Sequence, residues 1–256
     1  MTQPVVSVDQ LALRFGDREL WHDLTFQLEA GEFLAVLGPN GAGKTSLLRI
    51  LLGQLEPTSG RVVIDRSRIG YVPQQRVFDR DLPLRGRDLV RFGLDGNRWG
   101  IGRLGAPDRR QIDDVIASVG ASAFADAPLG RLSGGEQQRL RVAQALVSDP
   151  GLLLADEPLL SLDLAYQQVI VQLLDERRRS AGTPVVFVTH DVNPILTAVD
   201  RVLYLGPDGW AIGPVDDVLN TETLSRLYGT EVDVLRVRGR VVVVGTPDAE
   251  HVHHVH

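Results

Sequence analysis

The stretch "GPNGAGKTS" at residues 38–46 follows the apolar segment "EFLAVL" and opens "LLRILLGQL", whose apolar residues recur at helical spacing. Strand, glycine loop, Lys-Thr pair and helix stand in the order G-x-x-x-x-G-K-T, with Gly38, Gly43, Lys44 and Thr45 at the fixed positions. Phosphate binding calls for this arrangement. Glycines let successive N–H groups curl around phosphate oxygens, and the helix N-terminus adds the positive end of its dipole. Lys44 then reaches the β- and γ-phosphates, and the Thr45 hydroxyl ligates Mg²⁺. A chance glycine loop is the competing reading, and it has to explain strand, Lys-Thr pair and helix together.

A second segment supplies the complement. "GLLLADEP" (151–158) is a short apolar strand that places Asp156 at its C-terminal end, where ligands bind in open parallel sheets. Asp156 suits Mg²⁺, directly or through water, and Glu157 suits the polarisation of an attacking water. The alternative is a helix N-cap with Pro158 at the first helical position, and the phosphate loop weighs against it. "VVFVTHD" (185–191) ends a third apolar strand at His190, on the same edge of the sheet. This histidine is either a γ-phosphate contact or a structural residue. His22 reads as a surface residue.

The remaining chain bounds the fold. At 256 residues, 43% hydrophobic and 23% charged, it has the size and composition of one large or two small α/β domains. No apolar run reaches the ~18–20 residues of a membrane span. "MTQPVVSVDQ" has neither the basic start nor the apolar stretch of a signal peptide, so a cytoplasmic protein is expected. The absence of cysteine excludes disulfides and thiolate metal sites. A net charge of −6 argues against nucleic-acid binding. Residues 76–110 depart from that balance, with nine Arg and five Asp and no Lys or Glu. "VVSVDQLALRF" and "WHDLTFQL" alternate as strands; "RVVID" and "RIGYV" are further strands, and residues 84–150 read as mostly helical. "YQQVIVQLLDERRRSAG" is a helix ending near Gly182, followed by two hairpins, "RVLYLGPDGWAIG" and "VDVLRVRGRVVVVG".

"LSGGEQQRLRVAQAL" (132–146) sets Ser133, Gly134 and Gly135 at the start of another helix, a second N–H and dipole device for phosphate nearly ninety residues from the first. With these motifs in order, the chain resembles the ATP-binding cassette (ABC) ATPases over about residues 4–230. The resemblance implies an α/β P-loop NTPase fold: a RecA-like parallel-sheet core, N-terminal antiparallel strands and a helical subdomain inserted at about 76–150. It places the ATPase domain at 1–235 and leaves a C-terminal strand and histidine-containing tail at 236–256. It implies ATP held by Phe15, Gly38, Asn40, Gly41, Gly43, Lys44, Thr45 and Ser46 of one subunit and by Ser133, Gly134 and Gly135 of the other, in a homodimer formed on ATP binding. Mg²⁺ falls to Thr45, Gln74 and Asp156, catalysis to Glu157, His190 and Gln74, and the interface loop to Asp163. Phe15 replaces the more usual tyrosine, keeping the ring face for adenine and losing the hydroxyl. "LLSLD" departs mildly from the usual interface loop and keeps Asp163 in register.

Such a chain works with partners. "RIGYVPQQRVFDRDLPLRGRDLV" and "VTHDVNPILTAVDRVLYL" resemble the ATPases of zinc or manganese importers. This implies ATP-driven metal import through a separate membrane permease, indirectly served by an extracytoplasmic solute-binding protein, with this chain peripheral at the cytoplasmic face of the inner membrane. Siderophore or vitamin B12 importers, exporters, and a soluble ABC ATPase of an assembly machine remain open. The basic stretch, with Arg98, Arg103 and Arg109, faces either the permease and anionic headgroups or solvent. Four of six histidines, His251, His253, His254 and His256, fall in the closing "HVHHVH". Imidazole favours zinc, copper and nickel over manganese. The tail suits buffering or sensing of a zinc cargo; a solvated terminus or remnants of an added sequence are the alternatives.

Overall fold

A computed structural model describes residues 3–64, 68–74, 78–95 and 105–245. Arg76, Arg98, Arg103 and the histidine tail lie outside the described residues.

Strands β1 (Val6–Phe15) and β2 (Arg18–Leu28) form an antiparallel hairpin in which Phe15 stands opposite Arg18. Their alternation turns Val6, Val8, Leu11 and Leu13 inward with Trp21, Leu24, Phe26 and Leu28. β3 (Phe33–Leu37), buried at every position, leads through the glycine loop into α1 (Lys44–Leu51). β4 (Ser59–Ile64) completes the first sheet, in the order β2-β1-β4. Next come β5 (Ile69–Val72), α2 (Gly86–Asp95), α3 (Ala106–Ser118), α4 (Gly134–Leu146), β6 (Leu152–Asp156), α5 (Leu164–Ala181), β7 (Val185–Val188), β8 (Arg201–Gly206) and β9 (Gly209–Pro214). The last elements among the described residues are α6 (Val215–Val218), α7 (Thr221–Tyr228), β10 (Val232–Val237) and β11 (Arg240–Gly245).

The central sheet runs β5-β6-β7-β3-β8-β9, parallel except for β9. Its continuous apolar runs are explained by burial on both faces. Leu34, Val36, Leu152, Leu154, Val186 and Val188 point into a core shared with α1 and the β2-β1-β4 sheet. Their neighbours Phe33, Ala35, Leu37, Leu153, Ala155, Val185 and Phe187 point into the opposite core, under the helices. Because β3, β6 and β7 are parallel neighbours, the residues that follow them arrive at one edge.

Three details differ from, or refine, the sequence reading. The apolar spacing predicts a helix running toward Leu55, but α1 stops at Leu51. Gly53 adopts φ +68° and donates to Ile50, while Gln54 donates to Arg49, so a Schellman turn ends the helix. Part of the basic stretch is neutralised within the helical region: Arg87 pairs with Asp113 and, at 2.9 Å, with Asp126. Hydrogen bonds from the guanidinium hold the Asp126 carboxyl below its ordinary range. Arg109 is exposed on α3. Finally, β10 runs through residue 235, and Val232 and Val241 are buried in the same core as Leu224 and Leu227.

Candidate functional site

At the C-terminal edge of the sheet lies a cavity of about 450 Å³, walled by Phe15, Asn40, Gly41, Gly43, Lys44, Thr45, Ser46, Gln74, Asp156 and Glu157. Each of these is a site residue expected from the sequence. Gly38 stands at the base of the loop, where φ is +142° and a Cβ would sit 2.2 Å from the Leu205 carbonyl oxygen. At Gly43, φ is +90° and a Cβ would meet Trp21 Nε1 at 2.6 Å. Both positions therefore demand glycine for close approach as well as for backbone conformation. Lys44 folds under the loop, its Nζ donating to the carbonyls of Gly38 (2.7 Å) and Pro39 (2.9 Å). Burial lowers its pKa, and the nearby Glu157 and Asp156 charges oppose that shift.

Asp156 ends β6 with 1% of its surface exposed. Burial raises its pKa above the ordinary carboxylate range, against the opposing effects of a hydrogen bond with Thr45 and the charge of Lys44. Its Oδ2 is buried without a hydrogen-bond partner. An orphaned carboxylate oxygen beside a threonine hydroxyl is a hard-oxygen donor set, and it fits a divalent cation such as Mg²⁺.

Glu157 follows in the left-handed region at φ +48°, an uncommon conformation for a residue with a side chain. Its N–H is held by the Val188 carbonyl at 2.9 Å. The turn swings its carboxylate between two residues from other elements. Gln74 Nε2 donates to Oε2 at 3.1 Å, and His190 Nδ1 lies 3.5 Å from Oε1. Glu157 and Pro158 do not open a helix, contrary to the alternative weighed above. α5 begins at Leu164, and its cap is Asp163, whose Oδ1 accepts from the Tyr166 N–H at 3.0 Å.

Ser133, Gly134 and Gly135 are not among the residues lining this cavity. Ser133 caps α4 through a reciprocal box with Glu136: the Glu136 N–H donates to Ser133 Oγ, and the Ser133 N–H donates to Glu136 Oε2 at 2.8 Å. The buried Gln137 amide ties this start down by donating to the Leu129 and Leu132 carbonyls, each at 3.1 Å. Arg139 stacks its guanidinium 3.7 Å from the Tyr166 ring centre, which joins α4 to α5. The helix start is thus held by its own hydrogen bonds and takes no part in the cavity at the phosphate loop of its own chain.

Arg18, Leu20 and Val188 also line the cavity and were not anticipated. Arg18 Nη2 donates to the Gly41 carbonyl at 3.1 Å, bracing the loop. The signal for Arg18 was the hairpin itself, since a two-residue turn places it beside Phe15.

A parallel sheet, a glycine-walled loop entering a helix, and two carboxylates facing it define a P-loop NTPase. Residues 21–160 match the ABC transporter family, and the chain belongs to it as an ATP-binding cassette. It is 34% identical to the manganese transport system ATP-binding protein MntB of Halalkalibacterium halodurans, over 94% of this chain and 98% of that protein. It is 35% identical to the zinc transport system ATP-binding protein TroB of Treponema pallidum, over 90% of this chain and 89% of that one. Among solved structures, it resembles a dimeric ATP-binding cassette, MJ0796, in a post-hydrolysis state with ADP and phosphate, at a TM-score of 0.68 and 28% identity. The match covers 78% of this chain and 94% of that one.

Proposed function

We propose that this chain is the ATP-hydrolysing subunit of a metal-ion importer, driving zinc or manganese through a separate membrane permease. The observation that carries the hydrolytic part is Glu157, held between Gln74 and His190 above the phosphate loop. The cargo is supported by near full-length similarity to manganese and zinc transport ATP-binding proteins.

In this reading, adenine stacks on Phe15, which is 51% exposed at the end of β1. The phosphates lie along the N–H groups from Gly41 to Ser46, and Lys44 exchanges its loop carbonyls for phosphate oxygens. Thr45, Asp156 and Gln74 would hold Mg²⁺, which neutralises phosphate charge when bound. Glu157 accepts the proton of the attacking water, and His190 faces the γ-phosphate. Ser133, Gly134 and Gly135 of a second copy close the cavity, so ATP joins two subunits and hydrolysis releases them. We place the chain as a peripheral subunit at the cytoplasmic face, beside the permease; no helix among the described residues is long and apolar enough to cross a membrane. The solute-binding protein acts through the permease and does not touch this chain. Exposed Arg109 belongs to the surface we assign to the permease or to anionic headgroups.

Phe15→Ala is expected to weaken ATP affinity about 5- to 30-fold and to leave saturated turnover within about twofold. The ring supplies stacking of ~1–2 kcal/mol to a part of the substrate remote from the reaction. Titration with a fluorescent ATP analogue measures the loss, and unchanged affinity would remove Phe15 from the site. The cargo is tested by elemental analysis of cells lacking the chain, grown in metal-poor medium. A selective fall in zinc or manganese, restored by the wild type and not by Glu157→Gln, is the expected result. Unchanged zinc, manganese and iron would overturn metal import and favour a siderophore, vitamin or assembly role.

A further inference from the structure

The loop that carries His190 is tied to a distant part of the chain. His190 is 60% exposed at its side chain, and its contact with Glu157 is long, at 3.5 Å. Its position therefore depends on the backbone beneath it. That backbone is fixed by a chain of hydrogen bonds. Thr189 Oγ1 accepts from the Asp191 N–H (3.1 Å) and donates to the Asp191 carbonyl (2.9 Å). Asp191 Oδ1 in turn accepts from the N–H and the side-chain amide of Asn193, at 2.9 and 2.8 Å.

The same Asn193 amide reaches β11. Its Nδ2 donates to the Val241 carbonyl at 2.9 Å, and its Oδ1 accepts from the Val241 N–H at 2.8 Å. A primary amide here does what the peptide group of a neighbouring strand would do, satisfying both main-chain groups of an edge residue. Val241 is itself buried, so the hairpin end of the clamp is anchored in the core. Arg240, its neighbour, lines a cavity of about 710 Å³ together with Glu157, Ser161 and His190. The C-terminal hairpin thus stands at the catalytic edge and holds its histidine loop.

We propose that Asn193 is a positioning residue for hydrolysis: it clamps the His190 loop to the C-terminal hairpin and so sets where the imidazole meets Glu157 and the γ-phosphate. This rests on the ATPase reading above. Ångström-scale misplacement of a reacting group is enough to lower a rate by one to two orders of magnitude.

The test uses the full-length chain, with steady-state ATPase kinetics, affinity for a fluorescent ATP analogue and thermal unfolding. Asn193→Ala is expected to lower kcat about tenfold, while ATP affinity stays within about threefold. His190→Ala gives the reference. If Asn193 acts through His190, the double variant turns over no more slowly than His190→Ala alone. Losses that multiply, or a folded Asn193→Ala with wild-type kcat, would overturn the proposal. Should Asn193→Ala fail to fold, Asn193→Ser keeps a polar side chain there but is too short to bond both main-chain groups of Val241, and the same non-additivity with His190→Ala is expected. Wild-type protein without turnover would instead bring down the ATPase reading, and this one with it.

Discussion

Replacing Glu157 by glutamine is expected to reduce ATP turnover by about 10²–10⁴-fold while leaving ATP affinity within about threefold of the wild type. The substitution keeps size and shape, so the left-handed turn at φ +48° and the main-chain bond to Val188 have no reason to change. The new side-chain oxygen still accepts from Gln74 Nε2, as Glu157 Oε2 does now at 3.1 Å. What disappears is a group able to take a proton from water. Binding should survive because the phosphate loop, Lys44 and Phe15 are untouched. ATP should then hold two subunits together for longer than in the wild type, because the bridge between them is not cut. Light scattering with ATP and Mg²⁺ is expected to show a persistent dimer. Turnover above about a tenth of the wild-type rate would remove Glu157 from the role of general base.

The parts of this site that were legible in the sequence are local ones. Gly38, Lys44 and Thr45 are read together because they lie within one loop, and Asp156 is read because it ends an apolar run. The run itself marks a strand covered on both faces, and the two cores show why: Leu153 and Leu154 face opposite ways and both are buried. The end of α1 was misjudged because apolar spacing continues past Gly53, whereas the positive φ at that glycine decides the boundary. Asp163 was read as an interface residue by resemblance; in the folded chain its carboxylate caps α5. The contacts that escaped the sequence join distant positions. Trp21 against Gly43 and the Asn193 amide on Val241 carry no periodic or spacing signal, and the turn that sets Arg18 beside Phe15 does not reveal its bond to Gly41. They arise only when the β1–β2 hairpin and the C-terminal hairpin fold onto the sheet edge.

The separation of Ser133, Gly134 and Gly135 from the phosphate cavity gives the second large effect. Gly134→Asp is expected to abolish ATP-induced dimerisation and lower turnover at least about a hundredfold, while leaving ATP affinity of the isolated subunit within about twofold. The sign on stability is opposite to the sign on activity. Gly134 is the first residue of α4, where a carboxylate meets the positive end of the helix dipole, worth about 0.3–1 kcal/mol in favour of the helix. Replacing glycine also removes freedom from the unfolded chain. Glu136, two residues on, already carries negative charge in the capping box and offsets part of this gain. The melting temperature should therefore stay level or rise slightly. The same carboxylate would face the γ-phosphate held by the other subunit, and like charges at a shared, desolvated contact repel strongly. A further arm identifies the subunit at fault. Neither Gly134→Asp nor Lys44→Ala should hydrolyse ATP alone. Mixed, they form heterodimers with one doubly damaged and one intact site; since neither variant pairs with itself on ATP, activity rises toward about half of the wild-type level if the sites work independently. A Gly134→Asp subunit that loses ATP affinity as a monomer, with no rescue on mixing, would mean that Ser133–Gly135 serve the phosphate loop of their own chain.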